Sequence, residues 1–411
     1  MFRNYLKIAL RNLRKYKAIS FINLFGLTVG LTCCLLILAY ILNEVSFDKQ
    51  QPYADRTFRI SRSFHNEEGV QSLHLGAIAP PFGPYLKTAF PEIEKMTRLL
   101  PNGNTAFVYD DKKFYENKVF FADENLGDVF KLEMLKGNPK QALEAPFSIM
   151  ITDAVARKYF GSEDPMNKMV KLDNGIPCKV AGVYKPFPSN THLHPDVLIS
   201  FNTLKDSAIY GEKNLMTNWG NNSFYTYVVL PKNYSAKAME AKFPAFLDKY
   251  FHFPKEPAGF QASKFTHLYL WPLTDIHLRS HLDSEVEENG DIKRVYIFSI
   301  VALFILLIAC INYMNLSTAR SVLRAKEIGI RKAVGAERKE IILQFLSESV
   351  LLAWAALLLA FALTALLMPW LNKFSGADLS THLLLRWEVV VSLFLTPFVV
   401  GILSGLYPAM F

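Results

Sequence analysis

The residues whose types and spacing could do chemistry are few. His192, His194 and Asp196 form an H-x-H-x-D string, and His277 and His281 stand four apart between Asp275 and Asp283. Either grouping could present metal ligands on one side of an element. No third cluster has metal-site spacing, and both strings sit in polar, turn-like surroundings, so ordinary loop histidines are expected and no metal site is assigned. Nucleophilic catalysis has no better case. No G-x-S-x-G occurs, and Cys178 is the only cysteine between residues 44 and 294. A G-x-x-x-x-G-K-[ST] phosphate loop is also missing from the chain, which excludes ATP binding of the Walker kind by these residues. The sequence assigns no catalytic residue and no cofactor.

Polar and small residues inside apolar segments carry more information. Gly26 and Gly30 form G-x-x-x-G, extended by Cys34 at the next i+4 position, a stripe that lets a second helix approach closely. Asn23, Asn312 and Asn315 are amides at membrane or boundary depth, suited to interhelical hydrogen bonds. Glu348 is a carboxylate near the start of an apolar run, where it needs a partner or a polar cavity. Pro397 is expected to kink the last helix.

The elements that must position these residues follow from composition. Of 411 residues, 51% are hydrophobic and 20% charged, and four cysteines and 21 prolines exclude a disulfide scaffold or a low-complexity chain. The apolar residues are concentrated. Residues 18–43, 295–319, 349–372 and 389–411 carry no Asp, Glu, Lys or Arg, giving runs of 26, 25, 24 and 23 residues. A helix needs about 20 apolar residues to cross a bilayer. Four transmembrane helices are therefore expected, at 18–43, 295–319, 348–371 and 388–411, with short segments 372–387 and 320–347 between the later ones. The first run exceeds the 7–15 residues of a signal-peptide core. No cleavage site follows it, and Gly30-Leu31-Thr32 before Cys33 and Cys34 makes no lipobox, so an uncleaved anchor is expected.

Charge gives orientation. Residues 1–17 hold six Lys/Arg and no acid, 320–340 hold seven against three acids, and 44–294 hold 30 against 31. The positive-inside rule puts the N-terminus and the 320–340 loop in the cytoplasm and residues 44–294 outside it. The net charge of +8 thus reports topology, and no basic stripe with interleaved aromatics points to nucleic acid. Within 1–17, Phe2, Tyr5, Leu6, Ala9, Leu10, Leu13 and Tyr16 share one helical sector, opposite Arg3, Lys7, Arg11, Arg14 and Lys15. That pattern suits an amphipathic helix lying on cytoplasmic lipid.

Residues 44–294 read as an α+β domain. Strands are expected at 148–152, 178–184, 224–230 and 267–270, a helix over 153–160 closed by Gly161, and another over 235–250 broken near Pro244. A division into two subdomains near 80–220 is a further expectation.

The most specific segment lies between the second and third apolar runs. Its core reads Lys326-Glu-Ile-Gly-Ile-Arg-Lys-Ala-Val-Gly-Ala336, followed by Phe345-Leu-Ser-Glu348. It predicts a helix that runs on into the cytoplasm, stops at Gly335 and restarts. This wording resembles the FtsX-like permease family, in particular MacB-type ABC transporter permeases. Ser46-Phe-Asp-Lys49, Ala54-Asp-Arg56, Phe90-Pro-Glu-Ile-Glu94, Lys158-Tyr-Phe-Gly161, Pro188-Ser-Asn-Thr-His-Leu193 and Leu273-Thr-Asp-Ile-His-Leu278 are similar to the MacB-type periplasmic core domain. Gly405-Leu-Tyr-Pro-Ala409 is similar to the family's end of helix four.

The resemblance implies a bacterial inner-membrane permease that works as a dimer with a separate or fused cytoplasmic ABC ATPase. It implies mechanotransmission: closing of the ATPase dimer is passed through the membrane helices to the periplasmic domains. A periplasmic adaptor and an outer-membrane channel are further partners of the same kind. The coupling surface would comprise Arg324, Lys326, Glu327, Ile328, Gly329, Arg331, Lys332, Val334 and Gly335. Relatives of this kind often continue into a second four-helix repeat, so a fragment or first half stays open. Export of drugs, peptides or envelope substrates is the first expectation. Lipoprotein release or control of a cell-wall hydrolase is the second. A ligand sensor is disfavoured, because two more helices follow where a signalling module would stand.

Overall fold

The computed structural model describes residues 17–173, 175–252, 259–334, 337–375 and 378–410, with the backbone alone described at 19, 320–329, 331–332, 338, 375 and 404–410. Residues 1–16 of the expected amphipathic segment 1–17, and Gly335, lie outside the described residues. The chain divides into two compact units, Met1–Val45 with Ile292–Phe411, and Ser46–Asp291.

The first unit begins with helix α1 (Lys17–Glu44). The inserted unit that follows is built on one mixed eleven-stranded sheet. Its strands are β1 (Thr57–His65), β2 (Gln71–Leu75), β3 (Lys95–Tyr109), β4 (Lys112–Ala122), β5 (Met134–Lys136), β6 (Ser148–Thr152), β7 (Met169–Leu172), β8 (Ile176–Tyr184), β9 (Val197–Ser200), β10 (Tyr225–Val229) and β11 (Thr266–Pro272). The order is β11-β1-β10-β3-β4-β9-β6-β8-β5, with β2 paired to β1 and β7 to β3 and β8. Pairs β4–β9 and β6–β8 are parallel and the rest antiparallel.

Period-two alternation explains why several strands read as unbroken apolar runs. On β4, Val119 and Phe121 enter one core while Phe120 enters another. On β6, Ile149 and Ile151 part in the same way from Met150, and on β10, Tyr227 parts from Val228. Successive side chains point to opposite faces, so a sheet covered on both sides needs apolar residues at every position. Helix α2 (Phe82–Ala89) and helix α4 (Phe243–Tyr250) line one core. Helix α3 (Asp153–Phe160) lines another. The Thr152 hydroxyl caps α3 by accepting from the Val155 N–H at 3.4 Å, and Gly161, at φ +64°, ends it. The segment expected as one helix broken near Pro244 is instead two, Ala236–Glu240 and α4. Pro244 sits in the first turn of α4, where its missing N–H costs nothing, so the break precedes it. The expected subdomain division has no counterpart in the sheet, which runs through both parts without interruption.

The first unit resumes with α5 (Ile292–Ala333), α6 (Arg338–Ser375) and α7 (Trp387–Met410). Among the described residues three helices are long and apolar enough to cross a membrane, over Ser20–Glu44, Ile292–Ala319 and Lys339–Phe374. In α7 the apolar stretch is the shorter Trp387–Leu403. Leu27, Leu31, Leu35, Ala309, Tyr313, Ala353, Ala356, Ala360 and Val400 share one core, so all four helices pack together. The α7 helix runs through Pro397. Large apolar side chains of α5, among them Tyr296, Ile300, Phe304 and Ile308, stay more than half exposed. A row of that kind needs lipid or a partner to cover it.

Candidate functional site

The hairpin from α5 to α6 carries the expected coupling residues. At 1.5 Å per residue, the 42 residues of α5 extend roughly 63 Å, about twice the hydrocarbon thickness of a bilayer. Its apolar portion ends at Ala319, and the helical backbone continues through Arg324, Lys326, Glu327, Ile328, Gly329, Arg331 and Lys332 to Ala333. The side chains of those seven lie outside the described residues. Val334 is described and is 84% exposed, and Ile330, a residue not singled out from sequence, is 59% exposed. The Val334 N–H closes the last turn on the Ile330 carbonyl at 3.1 Å, which puts the two side chains one turn apart.

The small-residue stripe of α1 faces α5. A Cβ added at Gly30 would stand 2.7 Å from the Ala309 Cβ, and one at Gly26 would stand 3.2 Å from the Asn312 amide nitrogen. Cys34 Sγ donates to the Ala302 carbonyl at 3.3 Å. Gly401 of α7 is as close to α6, with an added Cβ 2.7 Å from Val350 Cα. Asn23 is buried, yet its Oδ1 has no hydrogen-bond partner among the described residues, so the interhelical bond expected for it is not seen there. Asn315 is exposed. Glu348 is buried on α6 and accepts from Gln344 Nε2 at 3.2 Å.

A third feature joins strings that the sequence offered only separately. Ser46-Phe-Asp-Lys49 follows α1 directly and meets Pro188-Ser-Asn-Thr-His-Leu193. The Asp48 N–H donates to the Asn190 carbonyl at 2.9 Å, and Asn190 Nδ2 donates to Ser46 Oγ at 2.8 Å. Asp48 holds φ +58°, a left-handed conformation that Asp and Asn tolerate better than most residues. Its fully buried carboxylate lies 3.0 Å from His192 Nδ1, too oblique for a well-aligned hydrogen bond, and accepts instead from the His192 backbone N–H at 3.3 and 3.4 Å. The other ring nitrogen, Nε2, lies 2.7 Å from the Tyr227 hydroxyl. Complete burial holds that phenol protonated, well above its ordinary pKa. The third string supplies His277, whose ring stacks on Phe47 at 3.4 Å between centroids and 4° between planes.

The segment that leads out of the domain toward α5 is tied as firmly. Arg59 of β1, fully buried, grips Glu285 through both guanidinium ends at 2.5 and 3.0 Å and donates to Ser280 Oγ at 2.8 Å. The Glu287 carboxylate accepts from the His194 N–H at 2.7 Å and meets His194 Nδ1 at 2.8 Å. Burial alone would raise the Glu287 pKa, but the His194 contacts outweigh it and hold the carboxyl below its ordinary range. Gly76 donates to the Ser284 carbonyl at 3.1 Å, and an added Cβ there would stand 2.4 Å from that oxygen.

These placements correct the reading of the histidines as ordinary loop residues. His192 and His277 are buried, and the ring nitrogens of His194 face Glu287 and the Pro188 carbonyl. Asp196 points elsewhere in role: its backbone N–H bonds Lys118 and its carbonyl caps Thr152. His281 approaches Asp291 at 4.0 Å. Sequence reasoning missed Asp48, Tyr227, Arg59 and Glu285. A signal existed for Asp48 alone, inside the first quoted string. An open cleft of about 1030 Å³ was also missed; it is lined by Lys95, Arg98, Asp123 and Phe201 among others, with Arg98 forked onto Asp123 at 2.9 Å.

Among the described residues, three apolar helices are long enough to span a bilayer, and they join a large α/β insertion that is clamped where the chain enters and leaves it; this is the architecture of a membrane protein with one large domain outside the bilayer. Residues 20–246 match the MacB-like periplasmic core domain, and residues 299–411 match the FtsX-like permease C-terminal domain. The first match alone covers more than half of the chain, and the chain belongs to this family of MacB/FtsX-type ABC transporter permeases. It is similar to the macrolide export ATP-binding/permease protein MacB of Bdellovibrio bacteriovorus, 36% identical over 115 residues, 26% of this chain and 16% of that protein. The ABC transporter permease YknZ of Bacillus subtilis is 33% identical over 109 residues, 25% of each chain. The chain thus spans a minor part of the length of these relatives. Among solved structures, a domain of a candidate permease from Porphyromonas gingivalis aligns with TM-score 0.47 and 19% identity over 60% of this chain and 99% of that one. The periplasmic region of MacB from Actinobacillus actinomycetemcomitans aligns with TM-score 0.35 and 13% identity, over 53% and 90%.

Proposed function

We propose that this chain is the mechanotransmission subunit of an ABC transporter in the bacterial inner membrane. In this reading α1, α5, α6 and α7 all cross the bilayer, residues 46–291 lie in the periplasm, and the α5–α6 hairpin docks on a cytoplasmic ATPase. ATP is hydrolysed in that partner chain, and this chain has no catalytic role of its own. Two copies, or a copy and a second repeat, form the working dimer. The observation that carries the reading is the length of α5, whose helix runs on past its apolar portion to end in the exposed pair Ile330 and Val334. A helix that only anchored a domain would have no use for a projecting rigid arm with apolar residues at its tip. Efflux of drugs, peptides or envelope substrates, with a periplasmic adaptor and an outer-membrane channel, is the export form of this activity. The names of the MacB relatives favour it over lipoprotein release or hydrolase control.

The test uses a cysteine at Glu67, which is exposed in the β1–β2 turn. The natural Cys178 does not compete, because burial pushes its thiol up to about 12. In intact spheroplasts Glu67→Cys is expected to react with an impermeant maleimide. Protection there, with labelling from the cytoplasmic side, would reverse the orientation.

A further inference from the structure

We propose that Asp48 is a positioning residue, fixing through His192 the short link between α1 and the sheet so that motion of α1 reaches the inserted domain instead of being absorbed in the link. The proposal rests on the coupling reading above and adds to it the element through which force enters the domain. Only three residues separate Asp48 from the last residue of α1, Glu44. Within that span a flexible link would let the helix move without the sheet. The structure makes the opposite arrangement. Among the described residues the Asp48 carboxylate faces His192 at close range: Nδ1 lies 3.0 Å from Oδ1, and the backbone N–H donates to Oδ1 at 3.4 Å and to Oδ2 at 3.3 Å.

The imidazole passes the constraint on. The Tyr227 hydroxyl, 2.7 Å from Nε2, holds the ring from its far side. Tyr227 belongs to β10, an interior strand between β1 and β3, and pairs with Arg59 and Thr97. The chain Asp48–His192–Tyr227 therefore runs from the link to an interior strand with all three side chains buried. The carboxylate itself is held by the His192 backbone N–H, and burying it without that donor would be costly. The Phe47–His277 stack flanks it, and Gln50 Nε2 adds bonds to the Asn190 carbonyl and Thr191 Oγ1 at 3.2 and 3.1 Å. All of these contacts restrict the link.

Two substitutions separate charge from backbone. Asp48→Asn keeps the side-chain shape and the tolerance for positive φ, and removes the charge. Asp48→Gly keeps the turn and removes the side chain. The full-length chain in nanodiscs, with its co-purified ATPase, is read in two ways. In hydrogen exchange the amides of residues 46–51 are expected to exchange at least tenfold faster in Asp48→Gly and severalfold faster in Asp48→Asn, with β10 amides within twofold of wild type. With spin labels at Glu67→Cys in both copies, ATP turnover is expected to stay within twofold of wild type while the ATP-driven distance change falls at least fivefold. A wild-type chain without any ATP-driven change overturns the coupling reading and this proposal with it. A wild-type change that survives undiminished in both variants overturns the role of Asp48 alone. Loss of protection spread evenly over the sheet also overturns it, since Asp48 would then be a general stabiliser. Tyr227→Phe, which leaves Asp48 in place, is expected to give a smaller loss of the distance change than Asp48→Gly.

Discussion

Removing one member of the Arg59–Glu285 pair should destabilise the inserted domain out of proportion to a single contact. Arg59 has no exposed side-chain surface and Glu285 is 13% exposed, so either charge left alone is stranded in low dielectric. Breaking a buried pair in this way costs about 3–5 kcal/mol, and the slight exposure of Glu285 favours the lower end. Ser280 loses its guanidinium partner as well, since Arg59 Nη2 donates to it at 2.8 Å. For a unit of this size about 3 kcal/mol corresponds to a fall of roughly 6–12 °C in melting temperature. The assay is a double-mutant cycle of Arg59→Met, Glu285→Gln and the combined change, followed by thermal and guanidinium unfolding of the full-length chain in detergent. Each single variant should lose about 3 kcal/mol, and the double should lose clearly less than the sum, because no unpaired charge remains. Single losses below about 1 kcal/mol, or strict additivity, would show that the pair is not held in the low-dielectric contact described.

Gly76→Ala places a Cβ 2.4 Å from the Ser284 carbonyl, so the 280–287 segment must shift; exchange of the Gly76 and Asp283 amides should accelerate, and unchanged protection would contradict that close approach. Gly30→Leu forces α1 away from Ala309, where even a Cβ has only 2.7 Å, and transport should fall while insertion stays normal; wild-type transport in Gly26→Leu/Gly30→Leu would show the seam to be dispensable. Glu287 has its folded pKa depressed by His194 despite burial, so its stabilising contribution is present above the unfolded carboxyl pKa and disappears as pH falls through the folded value. The stability gap between wild type and Glu287→Gln should accordingly be full at pH 7 and close below about pH 4, as read by urea midpoints across that range; a gap independent of pH would remove the ion pair from the account.

Much of the framework was legible because it depends on local physics. Charge-free runs announce membrane helices, Thr152 and Gly161 bracket α3, and β6, β8, β10 and β11 follow from β-branched and aromatic runs. What was not legible depends on which distant segment covers which face. On β1, Arg59, Ser61 and Ser63 alternate with Phe58, Ile60 and Phe64, a pattern that reads as one solvated face. All three polar residues are nevertheless buried, because the 280–287 segment and neighbouring strands close over them. Arg62 breaks the apolar side of the same pattern, yet it is buried among Phe64, Phe82 and Phe251. Burial lowers its pKa to about 9, and its donors are taken by Thr266, Asn222 and the Trp219 carbonyl. The histidine strings misled for the same reason. Turn-like neighbours argued for exposed loops, whereas long-range partners, Asp48 for His192 and Phe47 for His277, took them into the interior.

If the α5–α6 hairpin is where an ATPase acts on this chain, as proposed above, one double substitution should separate the two proteins. Replacing Ile328 and Val334 by Asp leaves every Lys and Arg in place, so the topology signal and membrane insertion should survive. Against a partner groove the new carboxylates would be buried without partners, a cost that should abolish docking. The measurement is co-purification of the ATPase from the native membrane, together with ATP turnover of the complex in nanodiscs. The account predicts a correctly inserted permease with a folded inserted domain that neither retains nor stimulates its ATPase. Wild-type retention and turnover in the double variant would contradict it and leave the hairpin as a charged topology signal alone.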